Sequence, residues 1–124
     1  MTPRRLLTIR GERGTNVVYE LRIYRAAPGK LAPLIARFRD HTVALFEKHG
    51  ITNVGYWRNA IGGRSDELWY MLSYPDMAAR DASWAAFAAD PDWQRARADS
   101  EADGTLLDHL ENRILAPTDF SPLK

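Results

Sequence analysis

Residues 17–24 alternate between two kinds of side chain, and this pattern constrains the fold more than any other stretch of the chain. The odd-numbered positions are apolar: Val17, Tyr19, Leu21 and Ile23. The even-numbered positions mix apolar and charged residues: Val18, Glu20, Arg22 and Tyr24. Because successive side chains of a β-strand point to opposite faces, we predict a strand whose apolar face packs on the core. Its mixed face is then left uncovered by helices.

The remaining patterns predict two helical regions and three more strands. Apolar residues at helical spacing predict a helix over 30–49, which Gly50 ends. A second helical region starts after Asp76 and is interrupted at Asp90-Pro91, where we expect a new helix to begin. Alternating residues predict strands over the ranges 52–59, 67–74 and 107–115.

The resulting order, β-α-β-β-α-β, predicts an α+β fold of the ferredoxin-like type. In that fold four antiparallel strands lie in the order 4-1-3-2, and the helices cover one face of the sheet. Strand one then lies in the middle of the sheet. We expect residues 17–124 to form this single domain and residues 1–16 to be a flexible lead-in.

Composition argues against several classes of function. The 124 residues include no cysteine, so neither disulfide bonds nor thiolate metal sites can form. A formal charge of +1 argues against nucleic-acid binding. No apolar run approaches the roughly 20 residues of a membrane span. The lack of cysteine fits a reducing, cytoplasmic setting.

The face predicted to be uncovered combines aromatic and charged side chains. It is expected to hold Glu20, Arg22, Tyr24, Trp57, Trp69, Met71, His109, Glu111 and Arg113. A monomer rarely exposes such an apolar patch, so we expect a second copy of the chain to cover it. Because strands one and four are neighbours, Glu20 is expected to pair with Arg113. Arg22 is expected to pair with Glu111 in the same way.

Seven short stretches, taken together, carry a resemblance to a known family. They are Val18-Tyr19-Glu20-Leu21-Arg22-Ile23-Tyr24, Pro28-Gly29-Lys30, His49-Gly50-Ile51, Val54-Gly55-Tyr56-Trp57, Leu68-Trp69-Tyr70, Ala88-Ala89-Asp90-Pro91-Asp92-Trp93 and Glu111-Asn112-Arg113-Ile114-Leu115. In this order and at these separations they resemble the NIPSNAP family, within the dimeric α+β barrel superfamily. The resemblance implies a ferredoxin-like subunit paired as a homodimer, and no particular reaction. NIPSNAP members have been linked to vesicle trafficking and mitochondrial signalling, and the superfamily includes small cofactor-free monooxygenases.

The candidate site residues fall into two groups. The candidates for acid–base or anion-stabilising chemistry are His41, His109 and Arg22. The candidates for lining a ligand pocket or the subunit interface are Tyr24, Trp57, Trp69, Glu111 and Arg113. His49 falls in the last turn of the first helix, where we expect a structural role. We expect no cofactor, and the spacing of the histidines predicts no metal site.

Three functions remain open from the sequence. The first is a homodimer that binds a small apolar or aromatic molecule. The second is a cofactor-independent monooxygenase or isomerase-like enzyme of the same superfamily. The third is a protein-interaction module without a ligand. A cavity that converges on a histidine or an arginine favours the second function, and a packed interior favours the third.

Overall fold

The computed structural model describes residues 17–124, so the predicted lead-in at 1–16 lies outside the described residues. The strands are β1 (Val18–Ala26), β2 (Thr52–Arg58), β3 (Glu67–Tyr74) and β4 (Leu107–Leu115). The helices are α1 (Leu31–Arg37), α2 (Val43–Lys48), α3 (Met77–Ala89) and α4 (Pro91–Ser100), and a π-helical turn (Phe38–Thr42) joins α1 to α2. The sheet order is β2-β3-β1-β4, and every neighbouring pair is antiparallel. This topology confirms the predicted ferredoxin-like α+β fold.

Aspartate caps begin both helices of the second helical region. The Asp76 side chain accepts a hydrogen bond from the Ala79 backbone N–H at 2.7 Å, and α3 follows. The Asp90 side chain accepts from the Asp92 backbone N–H at 2.8 Å, and Pro91 occupies the first helical position of α4. Aspartate satisfies N–H groups that have no partner within the helix, and proline lacks the N–H that would be left unpaired there. The predicted interruption at Asp90-Pro91 is therefore confirmed.

A π-helical turn interrupts the helix that the sequence predicts as continuous over 30–49. The Val43 N–H donates to the Phe38 carbonyl, five residues earlier in the chain. In an α-helix, the N–H would donate to the carbonyl of the residue four positions earlier. The Thr42 hydroxyl also donates to the Arg37 carbonyl, at 3.3 Å. Arg37 precedes this turn, Phe38 and Thr42 lie within it, and all three are buried. No proline or glycine between 37 and 42 signals this turn.

The two faces of β1 are the reverse of those predicted. Glu20 lies opposite Leu72 of β3, and Arg22 lies opposite Tyr70, so both charged side chains share the helix-covered face. Glu20 is 0% exposed and Arg22 is 8% exposed. The apolar residues of the other face are only half-buried, and they are Tyr19, Leu21 and Ile23. The prediction that the apolar face packs under the helices is wrong, as is the placement of Glu20, Arg22 and Tyr24 on the uncovered face.

The neighbouring strands have the faces that the sequence predicts. On β3 the helix-covered residues are Leu68, Tyr70, Leu72 and Tyr74. On β4, Leu110 and Ile114 share that side, because they lie opposite Tyr24 and Glu20. Glu111 and Arg113 lie on the uncovered face, with an N–O distance of 3.8 Å between them. The predicted pairing of Glu20 and Arg22 with these two residues is therefore wrong, since the sheet separates the two pairs.

The Glu20 carboxylate is buried because five hydrogen bonds replace its contacts with water. Oε1 accepts from Tyr74 Oη at 2.7 Å and from Arg80 Nε at 3.0 Å. Oε2 accepts from Arg22 Nη1 at 2.9 Å, Arg80 Nη2 at 3.0 Å and Asn112 Nδ2 at 2.7 Å. A buried charge is tolerated when it is paired and hydrogen-bonded in this way. This carboxylate joins β1, β3, β4 and α3 at one point.

The Arg22 guanidinium is also fully engaged. Its Nε donates to Tyr70 Oη at 2.7 Å, and its Nη2 donates to Tyr24 Oη at 3.0 Å. Its Cζ lies 4.5 Å from the centroid of the Trp84 ring, a cation–π contact. We call Glu20, Arg22, Tyr70, Tyr74, Arg80 and Asn112 the buried network. Each charged group in it has partners within the chain, which is the physical reason that β1 can turn its charged face inward.

Opposing influences act on the pKa of Glu20. Burial raises the pKa, but the hydrogen bonds from Arg80, Tyr74 and Asn112 and the charge of Arg22 lower it by more than burial raises it. The resulting pKa of Glu20 is about 2. The folded protein therefore holds Glu20 ionised. The pKa of Tyr74 is raised by burial and by its hydrogen bond to Glu20.

We predict that Glu20→Gln destabilises the protein by about 3–5 kcal/mol, because it leaves two arginines without their buried counter-charge. Urea unfolding followed by circular dichroism measures the change. The control is Glu111→Gln, which removes an exposed carboxylate and should cost at most about 1 kcal/mol. Equal losses in the two variants would contradict the prediction.

We also predict that stability falls between pH 4.5 and about 2, because the folded-state pKa of Glu20 lies below its ordinary value of 4.5. The contribution of Glu20 is fully present above this window and disappears as the pH falls through it. The difference between the two pKa values corresponds to about 3 kcal/mol. Urea unfolding at several pH values should show the wild-type advantage over Glu20→Gln shrinking in this window. A constant advantage would rule out Glu20 as the titrating group.

Candidate functional site

A cavity of about 320 Å³ lies between the helices and the sheet. Six of its lining residues are aromatic: Tyr24, Phe38, Phe46, Trp84, Phe87 and Trp93. Its polar lining residues are Arg37, Thr42, Arg97, Glu101 and Thr105. Ala88 and Leu107 complete the lining. We call this space the aromatic cavity.

Each side of the aromatic cavity comes from a different element. β1 contributes Tyr24 from the sheet, and the π turn contributes Phe38 and Thr42. Trp84 and Phe87 are three residues apart on α3, so they lie on one face of that helix. Phe38 and Thr42 lie four residues apart in the sequence, and both line the cavity.

The aromatic rings hold one another in place. Tyr24 and Phe38 meet edge to face, with centroids 5.8 Å apart. Phe46 and Trp84 meet in the same way at 5.3 Å. Phe87 also lies 4.7 Å from Trp93, across the junction of α3 and α4. Aromatic pairs in these geometries add to the stability gained from burial alone. The wall is thus built without a ligand.

One end of the aromatic cavity is polar. The Arg37 side chain is 6% exposed, and its Nη1 donates to Ser100 Oγ and to Glu101 Oε2, both at 3.2 Å. Its Cζ lies 5.2 Å from the centroid of the Trp93 ring. Its Nε is buried without a hydrogen-bond partner among residues 17–124. Arg97 Nε lies 3.7 Å from the other oxygen of Glu101. This end therefore combines two guanidinium groups with one carboxylate.

The sequence-predicted site residues are not brought together. Tyr24 lines the aromatic cavity. Arg22 lies in the buried network, with all three nitrogens engaged. His41 is exposed and borders an outer groove near Asp99. His109 lies on the uncovered face of the sheet, because it is opposite Arg25 of β1.

His49 has the structural role that its position predicts. Its Nε2 lies 2.7 Å from Asp90 Oδ2, and Lys48 Nζ lies 2.8 Å from the same oxygen. Asp90 therefore ties the end of α2 to the start of α4. Hydrogen bonds from Lys48, His49 and the Asp92 backbone hold the pKa of Asp90 well below its usual range.

The uncovered face of the sheet is more apolar than the sequence predicts. We call it the open sheet face, and its apolar members are Tyr19, Leu21, Ile23, Trp57, Trp69, Met71 and Leu115. Trp57 is 53% exposed. Its indole lies over Gly55, where a Cβ would come within 2.5 Å of the ring. Trp57, Trp69, Glu111 and Arg113 all lie on this face, apart from the aromatic cavity.

Sequence reasoning missed Arg37. The residue follows Leu34 by three positions and precedes Phe38, so it borders the apolar stripe of the first helix. That placement is a weak signal, because arginine at a stripe border usually extends to solvent. What holds its side chain inside are Ser100, Glu101 and the ring of Trp93, which lie far from it in the sequence.

Residues 17–124 contain neither a cluster of metal ligands nor a helix that could span a membrane. This part of the chain holds no group of three histidine, aspartate or glutamate side chains placed to bind a metal ion. None of its helices is long and apolar enough to cross a membrane.

The fold and the cavity define a ferredoxin-like α+β protein with a pocket of small-molecule size. The NIPSNAP family model matches residues 19–122, and the chain belongs to this family. NipSnap homolog 3B of Mus musculus is 33% identical over 85 residues, which cover 68% of this chain and 34% of that protein. Human NipSnap homolog 3A is 31% identical over 79 residues, covering 64% of this chain and 31% of that protein. The chain thus spans about a third of the length of these relatives.

Solved structures of similar proteins extend the comparison to the whole fold. A NIPSNAP family protein from Agrobacterium tumefaciens is 31% identical with a TM-score of 0.77, covering 88% of this chain and 100% of its own. A second one from the same organism, of unknown function, is 27% identical with a TM-score of 0.79, covering 94% and 100%. A proposed antibiotic biosynthesis monooxygenase from Chloroflexus aurantiacus is 18% identical with a TM-score of 0.55, covering 88% and 100%, and shares the fold alone.

We predict that Thr42→Val lowers the free energy of unfolding by about 1 kcal/mol, because the buried Arg37 carbonyl loses the hydroxyl donor of the π turn. The two side chains have nearly the same shape, so packing is kept. Thermal unfolding of this variant is compared with that of Thr52→Val, an exposed position on β2. An unchanged unfolding temperature for Thr42→Val would show that the hydroxyl does not stabilise the turn.

Proposed function

We propose that the protein is a homodimer that binds a small, largely aromatic molecule in the aromatic cavity. The observation that carries the proposal is the size and lining of that cavity: about 320 Å³, with six aromatic side chains in its wall. Pockets for small molecules have volumes of about 300–1,000 Å³ and are lined mainly by apolar and aromatic groups. A flat apolar ligand would replace water against these rings.

The mutual packing of the rings also supports ligand binding. An edge-to-face contact already fixes Phe46 against Trp84, and a tilted contact holds the Phe87 ring 4.7 Å from the ring of Trp93. A wall that is ordered in advance loses little side-chain entropy when a ligand enters. A protein-interaction module without a ligand would be expected to fill this space with its own side chains.

The residues around the cavity favour binding over turnover. The cavity converges on Arg37, which is one mark of the enzyme alternative. A general acid or base is the other requirement, and within residues 17–124 no histidine lines this space. Glu101 lines it, but its two oxygens face Arg37 and Arg97. Among residues 17–124, the one carboxylate in the lining is therefore already paired with two guanidinium groups.

The homodimer is supported by the open sheet face. Leu21 and Ile23 lie beside Met71 and Trp69 at the centre of this face, where β1 and β3 pair. Contiguous apolar surface of this kind marks an interaction site in soluble proteins. Covering it with the same face of a second copy buries both patches and needs no other partner. The charged residues lie around this centre, where an interface rim would be: Glu111 and Arg113 on β4, and Arg25 with Glu67 at the ends of β1 and β3.

We predict that 2-naphthol, a neutral aromatic probe, binds the protein and that Ala88→Trp abolishes the binding. Ala88 is exposed and lines the cavity, so an indole at this position would block it. Ala89→Trp is the matched control, since Ala89 is an exposed neighbour outside the lining. Isothermal titration calorimetry measures the affinity of each variant. Equal binding to both variants, or none to the wild type, would exclude the aromatic cavity as the site.

We predict that light scattering at micromolar concentration gives twice the chain mass of 14.1 kDa. Leu21→Glu should yield a folded monomer, because it places two unpaired charges in the symmetric interface. The control is Ile61→Glu, at a loop residue that is 98% exposed. Circular dichroism checks the fold of both variants. A monomeric wild type, or a dimeric Leu21→Glu variant, would refute dimerisation through this face.

A further inference from the structure

The polar end of the aromatic cavity specifies the chemistry of the ligand more closely. Arg37 places a guanidinium group there whose side chain is 94% buried, beside the ring of Trp93. A cation is rarely withdrawn from water unless its partners replace the lost hydration. The hydrogen-bond partners of Arg37, and the donors that lack a partner, therefore indicate what this end of the cavity binds.

The hydrogen bonds of Arg37 engage one side of its guanidinium. Both of those made with described residues come from Nη1, to Ser100 and to Glu101. Nε and Nη2 form the other side, a parallel pair of donors that fits a carboxylate. The buried Nε has no partner within residues 17–124. This pair of donors, beside the ring of Trp93, therefore has no hydrogen-bond partner among the described residues.

The charges at this end also favour an anion. Arg37 and Arg97 share Glu101, with one guanidinium near each carboxylate oxygen. Two positive charges against one negative charge leave a positive excess that a single carboxylate would balance. Asp40 and Asp99 border the groove outside Arg37 and are exposed, so water screens their effect on the cavity.

We propose that the ligand is an aromatic monocarboxylate, whose ring lies among Phe46, Trp84 and Phe87 and whose carboxylate binds Nε and Nη2 of Arg37. This inference rests on the proposed function, because it names the class of molecule that the aromatic cavity takes. A bidentate, charge-assisted pair in a site that excludes water is stronger than a contact with a neutral amide. Replacing the carboxylate of the ligand by a carboxamide should therefore weaken binding.

The first test compares 2-naphthoate with 2-naphthamide, which have nearly the same shape and differ in charge. Titration calorimetry on the wild-type protein near neutral pH should give at least about tenfold tighter binding of 2-naphthoate. Equal affinities would overturn the carboxylate inference and leave the aromatic site standing. If 2-naphthoate, 2-naphthamide and 2-naphthol all fail to bind, the proposed function itself fails.

Variants then assign the preference to Arg37. Arg37→Lys keeps a positive charge but loses the parallel Nε and Nη2 donors. It should therefore lower the affinity for 2-naphthoate and leave the affinity for 2-naphthamide unchanged. Arg95→Lys, at an exposed position on α4, is the matched control and should change neither affinity. A preference that survives Arg37→Lys in full would remove Arg37 from the site.

A second variant keeps the inference testable if Arg37→Lys does not fold. Glu101→Gln removes the carboxylate that competes with the ligand for the two arginines. It should tighten the binding of 2-naphthoate and leave that of 2-naphthamide unchanged. A weaker binding of 2-naphthoate to Glu101→Gln would contradict the proposed role of the positive excess.

Discussion

The buried carboxylate of Glu20 is the interaction on which the rest of the structure depends. Its five hydrogen bonds reach the neighbouring strands on both sides of β1 and a helix above the sheet. They fix which face of β1 turns inward, since a shift of one residue would move every side chain to the other face. Tyr19, Leu21 and Ile23 are left on the uncovered face as a consequence. The chain thus has a charged centre in its core and an apolar surface on its uncovered side.

The fold follows from local patterns, and the sequence predicts it well for that reason. Asp76, Asp90-Pro91 and Gly50 mark helix ends through backbone geometry that depends on few neighbours. The faces of β1 depend on distant residues instead. Arg80 and Asn112, which hold Glu20 inside, lie 60 and 92 residues away along the chain. Apolar alternation alone predicts that the opposite face of β1 packs under the helices. It contains no information about hydrogen bonds between residues that meet only after folding.

The candidate site was less predictable than the fold. Its aromatic residues fall on helical stripes, and a stripe packed tightly on the sheet has the same spacing as one that lines a cavity. The distance between the helices and the sheet decides between the two, and it depends on contacts between residues that are distant in the sequence. The π turn at Phe38–Thr42 has no sequence signature either. Tyr24 was predicted as a pocket or interface residue, and it does line the cavity, but from the face opposite to the one expected.

The buried network has a consequence for how this chain can change by mutation. Glu20, Arg22 and Arg80 are linked so closely that losing one leaves charge without a partner in the interior. Single substitutions at these positions are therefore selected against, even where a fully apolar replacement of all three would fold. Related sequences should therefore either keep all three residues or replace all three. The apolar side chains of the open sheet face share no buried charge, so one apolar residue there can replace another singly.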